Sequence, residues 1–588
     1  NAEYSNWFGA TSAAQVNLVL AAFNATLTRT NGCYEKDLAL HLNLVPASTS
    51  VIYYDPVTDP YTTMGNWNNQ LQAALTANVG EANYDIGHMF GASGGGGNAG
   101  CIGCVCVDGQ KGRGITSPAD GIPQGDNFDI DYVAHEIGHQ LGGNHTFSMS
   151  LEGTGVNKEV GSGITIMGYA GITAQDVAPH SIDIFHQASI QQIQVNLATK
   201  TCPITTVITA NNATPVVAPV ANYTIPITTP FALTGSATDA NAGDVLTYCW
   251  EQNDNSTTTG TNSVASPTKT TGPNWLSFSP VTSPIRLMPR LSTILTGGSV
   301  TGPLPGGDAG ANIEALSSVA RTLNFRLTVR DNSPYSASAP IKVGQTAFTD
   351  MVVTVDATTG PFLITSQNTA TNWVGGSTQA VTWSVNGTTG APINCANVKI
   401  SFSTDGGLTF PVVLAASTPN DGTENISVPV DPTGNGRVKV EAIGNIFFDI
   451  NNAVITITPP PNGFTFNSPA AVTAACPAPN DMTSGNLTAT WVGTFTGDVS
   501  VTGTVSPAGP VVSFGSTTLT QASPSTTVTL TGMSTLSPGN YTVTVTGTGT
   551  GAPTQTRDIV FTINPGTGPS ITTQPVNQAA CAGTNATF

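Results

Sequence analysis

Charge is scarce in this chain. Asp, Glu, Lys and Arg make up 9% of its 588 residues, and the net charge is −18. With 17 basic residues against 35 acidic ones, there is no cationic surface for nucleic acid. The low charge is not a sign of disorder, because hydrophobic residues still reach 39%. Long apolar runs are missing as well: no stretch of about 18 such residues occurs, so no membrane span is expected. Helical periodicity disappears after residue 203, and no fixed-period repeat replaces it, which excludes a solenoid. The Gly-rich segment 91–100 is not followed by Lys-Ser/Thr and is therefore a loop, not a phosphate cradle. The chain starts at Asn1 without Met or signal peptide and stops at Phe588 shortly after a new domain has begun. It reads as a fragment or processed piece, and the missing signal says nothing about export. Histidine is absent from the last two-thirds: all seven lie between His41 and His186.

What is present is concentrated at residues 131–147, D-Y-V-A-H-E-I-G-H-Q-L-G-G-N-H-T-F. His135 and His139, four apart on a helix, share a face and can point at one ion. Glu136 stands beside the first ligand and can reach water at the metal. Gly142 ends the helix and lets the chain turn back, bringing in His145. Three histidines and an open position are the layout of a catalytic zinc site, not of a closed structural one. The expected helix has Asp126 or Asn127 as cap, with Asp129 and Asp131 in its first turn.

Around this stretch, helices are expected over 11–28, 66–79 and 189–198, and strands over 38–45, 84–90 and 101–107. Interleaved helices and strands predict an α/β domain over residues 1–203. His41 reads as a strand residue, and His88, isolated from the motif, as structural. Cys33, Cys101, Cys104, Cys106 and Cys202 fall in this domain. Cys249, Cys395, Cys476 and Cys581 are spread one by one along the rest. Disulfides in an oxidising, extracellular setting fit better than a zinc ribbon, since no second pair completes the C-x-x-C at Cys101 and Cys104.

His135, Glu136, His139, Gly142 and His145, with Met167 in T-I-M-G-Y 22 residues beyond the third His, resemble a metzincin zinc metalloprotease. A-G-C-I-G-C-V-C and the closing T-C-P are similar to the reprolysin (adamalysin) branch and its bacterial secreted relatives. The resemblance covers residues 1–203. It implies a mostly parallel five-stranded sheet with an antiparallel edge strand that pairs with extended substrate, here Ala99, Gly100, Cys101, Ile102, Gly103, Cys104 and Val105. It also implies a Met-turn at Met167 and a disulfide between Cys106 and Cys202. Two departures stand out. Reprolysins usually carry Asp directly after the third His, where this chain has Thr146. Met167-Gly168-Tyr169 is similar to the astacin and serralysin turn, in which the Tyr can approach zinc. Cys101 or Cys104 is a candidate partner for Cys33, and the other pairings stay open.

From residue 204 the texture changes to Thr, Val, Pro, Gly and Asn. A linker at 204–218 is followed by strands and turns every 8 to 12 residues or so, which predicts β-sandwiches at 219–356, 360–458 and 462–564. A further, truncated domain begins at 569–588. These resemble immunoglobulin-like and cadherin-like modules. Trp250, Trp383 and Trp491 are expected as core packing. Asp239, Asp244 and Asp331 could supply carboxylates to calcium, or could simply form turns. The sequence therefore points to a secreted or cell-surface zinc endopeptidase, in which Glu136 assists water attack on extended polypeptides and Tyr169 helps hold the oxyanion. Its β-modules are free to bind cell-surface or matrix ligands. The alternative is an adhesin or matrix-binding protein with a vestigial protease domain.

Overall fold

The computed structural model describes residues 1–459, 462–493 and 495–565. The expected start of a further domain at 569–588, with Cys581, lies outside the described residues.

The first domain packs five helices around a small sheet. They are α1 (Ala2–Trp7), α2 (Val16–Leu38), α3 (Met64–Asn78), α4 (His135–Leu141) and α5 (Gln187–Leu197). Of the five strands expected here, three form a hydrogen-bonded sheet: β1 (His88–Phe90), β2 (Gly96–Asn98) and β3 (Gly114–Ser117). β1 runs parallel to β3, and β2 lies antiparallel to β3 at the edge.

Several stretches depart from their expected form, each for a local reason. α2 continues to Leu38 because its buried stripe goes on as Thr26, Thr30, Cys33, Tyr34 and Asp37. That face carries polar and small side chains, so apolar periodicity does not reveal it. Residues 40–45 form no strand. The buried Asn31 amide takes the place of a neighbouring strand there, donating to Leu42 O (2.9 Å) and accepting from Leu42 N (2.8 Å). Residues 101–107 are a turn closed by a Cys101–Cys104 disulfide, with Gly103 and Cys106 at positive φ. Cys33 is consequently free and buried, so its expected pairing with Cys101 or Cys104 is wrong. Cys106 and Cys202 are bonded to each other. Asp126 stands at the N-cap position and Asp129 in the first turn, as expected, but the helix they open, Asn127–Ala134, is a π-helix leading into α4; Asp126 makes no side-chain capping bond and pairs with Arg29, and Asp131 binds His180.

Beyond residue 204, Val216–Val217 pairs with Ala237–Thr238, so the expected linker is partly held. The first β-module has a four-stranded sheet in the order Tyr223–Pro226, Thr346–Asp356, Arg321–Arg330, Thr247–Gln252. Phe231–Thr234 pairs with Ile285–Met288 on the other side. In the second module, Thr378–Ser384 is central to a three-stranded sheet and Thr433–Ala442 belongs to a six-stranded one. In the third, Gly539–Thr548 and Gln555–Asn564 belong to a five-stranded sheet. Trp250 and Trp383 are buried and Trp491 is half-buried, each with its indole N–H bonded within its own module.

Candidate metal centre

α4 presents His135 and His139 one turn apart, both buried. Gly142 (φ +122°) closes the helix, its N–H donating to Gly138 O and His139 O, and a conformation so strained for other residues reverses the chain. His145 returns to the same point. The three Nε2 atoms lie 3.1 Å (His135 to His139), 2.9 Å (His139 to His145) and 3.2 Å (His135 to His145) apart.

Their other ring nitrogens decide what those contacts are. His135 Nδ1 faces Ile166 O at 2.7 Å, His139 Nδ1 faces Gly143 O at 2.7 Å, and His145 Nδ1 faces Glu152 Oε1 at 2.8 Å. Carbonyl and carboxylate oxygens only accept, so each Nδ1 carries the hydrogen and each Nε2 holds a lone pair. The contacts among the Nε2 atoms are therefore not hydrogen bonds. Three lone pairs converge, a repulsive arrangement that a cation relieves. Burial, with the neighbouring imidazoles, holds His135 well below the usual histidine range, and burial before any other cause lowers His139 and His145 to about 4. Neutral imidazoles are the ligand form, and the donor set fits zinc.

Glu136 is buried beside the ligands. Burial pushes its carboxyl up to about 8, while a backbone hydrogen bond from Ala99 pulls the other way. It sits against the edge strand β2: a Cβ on Gly97 would meet Glu136 Cγ and Oε1 at 2.4 Å. Glycine at 97 is thus what lets the strand pass so close. The expected edge strand, Ala99 to Val105, is corrected by this geometry. Apart from Ala99, which reaches Glu136, these residues form the disulfide turn behind α4, where Gly103 N donates to His139 O (2.8 Å) and Val105 N to Gln140 O (3.0 Å).

Met167 is fully buried against α4, packed so closely that a Cβ on Gly138 would lie 2.6 Å from its Sδ. Tyr169 rests over the centre, its ring 5.3 Å from that of His135 and 4.6 Å from that of His145. Burial, then Glu136 and Glu152, pushes its phenol up to about 12, so it remains a donor. His88 is structural as expected, held by Gln140 and Thr116.

The sequence did not single out Glu152 or Glu159. Glu159 is 1% exposed and accepts from Thr146 Oγ1 (2.6 Å), Ile164 N (3.1 Å), Thr165 N (3.2 Å) and Thr165 Oγ1 (2.5 Å). It joins the segment after His145 to the turn bearing Met167. A carboxylate thus bridges these segments from 13 residues further on than Thr146. Its sequence signal is a carboxylate directly after Lys158, in a chain where charge is scarce.

Asp239, Asp244 and Asp331 also come together, each offering an oxygen within 4.8 Å of the others. Asn212, 1% exposed, donates to Asp331 Oδ2, and its own Oδ1 has no partner.

Residues 1–196 match the family described as Metallo-peptidase family M12B Reprolysin-like. No curated protein sequence matches. Among solved structures, mouse cadherin-23 EC22-24 is 13% identical, covering 60% of this chain and 99% of its own, at a TM-score of 0.15. The N-terminal Ig1-2 module of the Drosophila receptor protein tyrosine phosphatase DLAR is 12% identical, covering 42% and 99%, at 0.22. The eight N-terminal Ig domains of Down syndrome cell adhesion molecule are 13% identical, covering 62% of this chain, which spans 42% of that one, at 0.15. The N-terminal third of the chain is thus similar to the reprolysin-like metallopeptidases of family M12B, and β-sandwich modules follow it.

Proposed function

We propose that the chain is a secreted zinc endopeptidase that cleaves extended polypeptides, with His135, His139 and His145 as metal ligands. The observation that carries this reading is the convergence of three imidazole lone pairs beside a buried carboxylate at a sheet edge. Bound zinc supplies a Lewis acid that polarises the scissile carbonyl and acidifies water. Glu136 takes a proton from the attacking water and returns it to the leaving amine nitrogen. Tyr169 donates its O–H to the developing oxyanion. Met167, the residue of the proposed Met-turn, gives the three imidazoles an apolar floor. Substrate adds as a strand along β2, Gly96–Asn98, so that backbone hydrogen bonds bring the scissile bond to Glu136.

The two disulfides support an oxidising, extracellular location. Among the described residues, no helix is long and apolar enough to cross a membrane. A calcium ion at Asp239, Asp244 and Asp331 is part of this proposal, supported by the orphaned Asn212 Oδ1 beside them. An adhesin with a vestigial first domain does not account for an intact set of ligands, tautomers and base.

The test is cleavage of a random peptide library by the full chain, with and without a zinc chelator. Cleavage that stops with chelator and returns with zinc is expected. Chelator-resistant cleavage, or none by the zinc-loaded chain, contradicts the proposal.

A further inference from the structure

The wall that carries His145 is not held by the first domain alone. After His145 the chain makes a loop over residues 148–161. Near its tip, Glu152 Oε1 accepts from His145 Nδ1 (2.8 Å). Within it, Asn157, 4% exposed, ties the loop to the histidine segment. Its Nδ2 donates to Phe147 O (2.7 Å) and His145 O (3.4 Å), and its Oδ1 accepts from Glu152 N (3.3 Å).

The outer side of this loop is covered by residues 253–263 of the first β-module. Ser256 N donates to Asn157 O (2.8 Å), Gly260 N to Met149 O (2.9 Å) and Gly161 N to Ser263 O (3.3 Å). Lys158 Nζ reaches Asn253 Oδ1. The module is in turn anchored to the first domain. The fully buried Arg330 binds Asp37 of α2 at 2.6 and 3.2 Å and donates to Phe185 O (3.2 Å). The His41 ring stacks on Tyr335 at 4.0 Å. Val160, Ile164 and Val177 share an apolar cluster with Leu276 and Ile313 of the module.

We propose that residues 253–263 of the first β-module position the third metal-binding histidine, acting through Asn157 and Glu152, so that the first domain and first module together form the catalytic unit. This rests on the reading of the three histidines as a metal centre. His135 and His139 sit on one helix, and backbone carbonyls of the first domain hold their Nδ1 atoms. Only His145 has its Nδ1 held by a side chain on a loop that another domain covers. Removing that cover leaves two ligands in place and frees the third, so metal retention changes before the fold does.

The test uses the full chain loaded with zinc. Ser256→Pro removes the N–H that reaches Asn157, because proline has none. Glu152→Leu removes the acceptor on His145, and Glu152→Gln restores one. The readouts are the rate at which a chromogenic chelator strips zinc and the hydrogen exchange of residues 146–161 in metal-free protein. Ser256→Pro and Glu152→Leu are expected to lose zinc at least tenfold faster, and Glu152→Gln at close to the wild-type rate. Exchange over 149–161 rises in Ser256→Pro, with α2 and α4 unchanged. Wild-type stripping rates in both Ser256→Pro and Glu152→Leu overturn the proposal. If Ser256→Pro disturbs exchange across the whole module, Asn157→Ala carries the same expectation, and an unchanged stripping rate there overturns the proposal. A wild-type chain that takes up no zinc overturns the metal-centre reading instead, which keeps the two failures apart.

Discussion

The first and third β-modules are each built around two paired strands of 10 or 11 residues, yet they join their neighbours in opposite ways. The first shares an apolar cluster with the N-terminal domain and another with the second module, where Leu327 and Trp250 meet the same core as Trp373 and Phe402. Its backbone also bonds to the second module: Ala232 N donates to Ile446 O and Phe448 N to Pro230 O, both at 2.9 Å. The third keeps a core of its own around Phe464, Phe466 and Tyr541. Its link to the second module includes an ion pair between Arg557 and Asp431, with Ser468 3.5 Å from the same carboxylate. Similar sandwiches thus do different work. A module that shares a core is part of a rigid unit, whereas one joined by polar side chains is a carried domain.

The contrast is sharpest in the proposed chemistry, because every group it assigns a role, from His135 to Tyr169, lies in the front unit. Glu136→Gln should keep zinc and lower kcat/KM on a peptide substrate by about 10³-fold, the scale of a missing general base. Steady-state kinetics and metal analysis of one preparation check both halves.

The next largest effect concerns the docking. Arg330→Met leaves Asp37 buried without its partner and should cost about 3–5 kcal/mol. Calorimetry should show the transition of the N-terminal domain and first module moving down together while that of the third module stays. A shift confined to one domain would break the claim of a shared unit.

A smaller effect depends on pH. Asp449, buried near the junction of the first two modules, has its carboxyl pushed up to about 7 by desolvation, against backbone hydrogen bonds from Ile364 and Ile450. Its folded value is above the unfolded one, about 3.9. Between pH about 4 and 7 the native state therefore holds a proton that the unfolded state has lost, and stability falls as pH rises through that window. Asp449→Asn should flatten that part of the stability profile, read as Tm against pH.

The smallest effect is at the third module. Arg557→Ala removes a partly buried pair and a hydrogen bond to Phe466 O, and should cost about 1–2 kcal/mol while leaving peptide cleavage untouched.

The three candidate ligands were legible in the sequence because their spacing is itself the geometry: i and i+4 on a helix, then a glycine turn. The groups that hold those ligands were not. Ile166 O and Gly143 O are backbone atoms with no signature in side-chain identity, and Glu152 acts through a loop that only folding brings back. The edge strand was misplaced because V-C-V alternation imitates a strand, while the i, i+3 disulfide between Cys101 and Cys104 requires a turn. The stretch 38–45 misled for a similar reason, since alternation cannot show that Asn31 fills the place of a neighbouring strand. The β-modules were legible as strands and turns. Their sharing of cores was hidden, because the apolar residues that serve one sandwich look the same as those that join two.

The central claim is that the three converged histidines hold one catalytic zinc. Native mass spectrometry of the full chain, beside its His139→Ala variant, tests it most directly. One zinc per wild-type chain, absent from the variant together with chelator-sensitive peptide cleavage, is the expected result. A wild-type chain that cleaves peptides with no metal bound, or a variant that retains zinc and activity, would contradict the account.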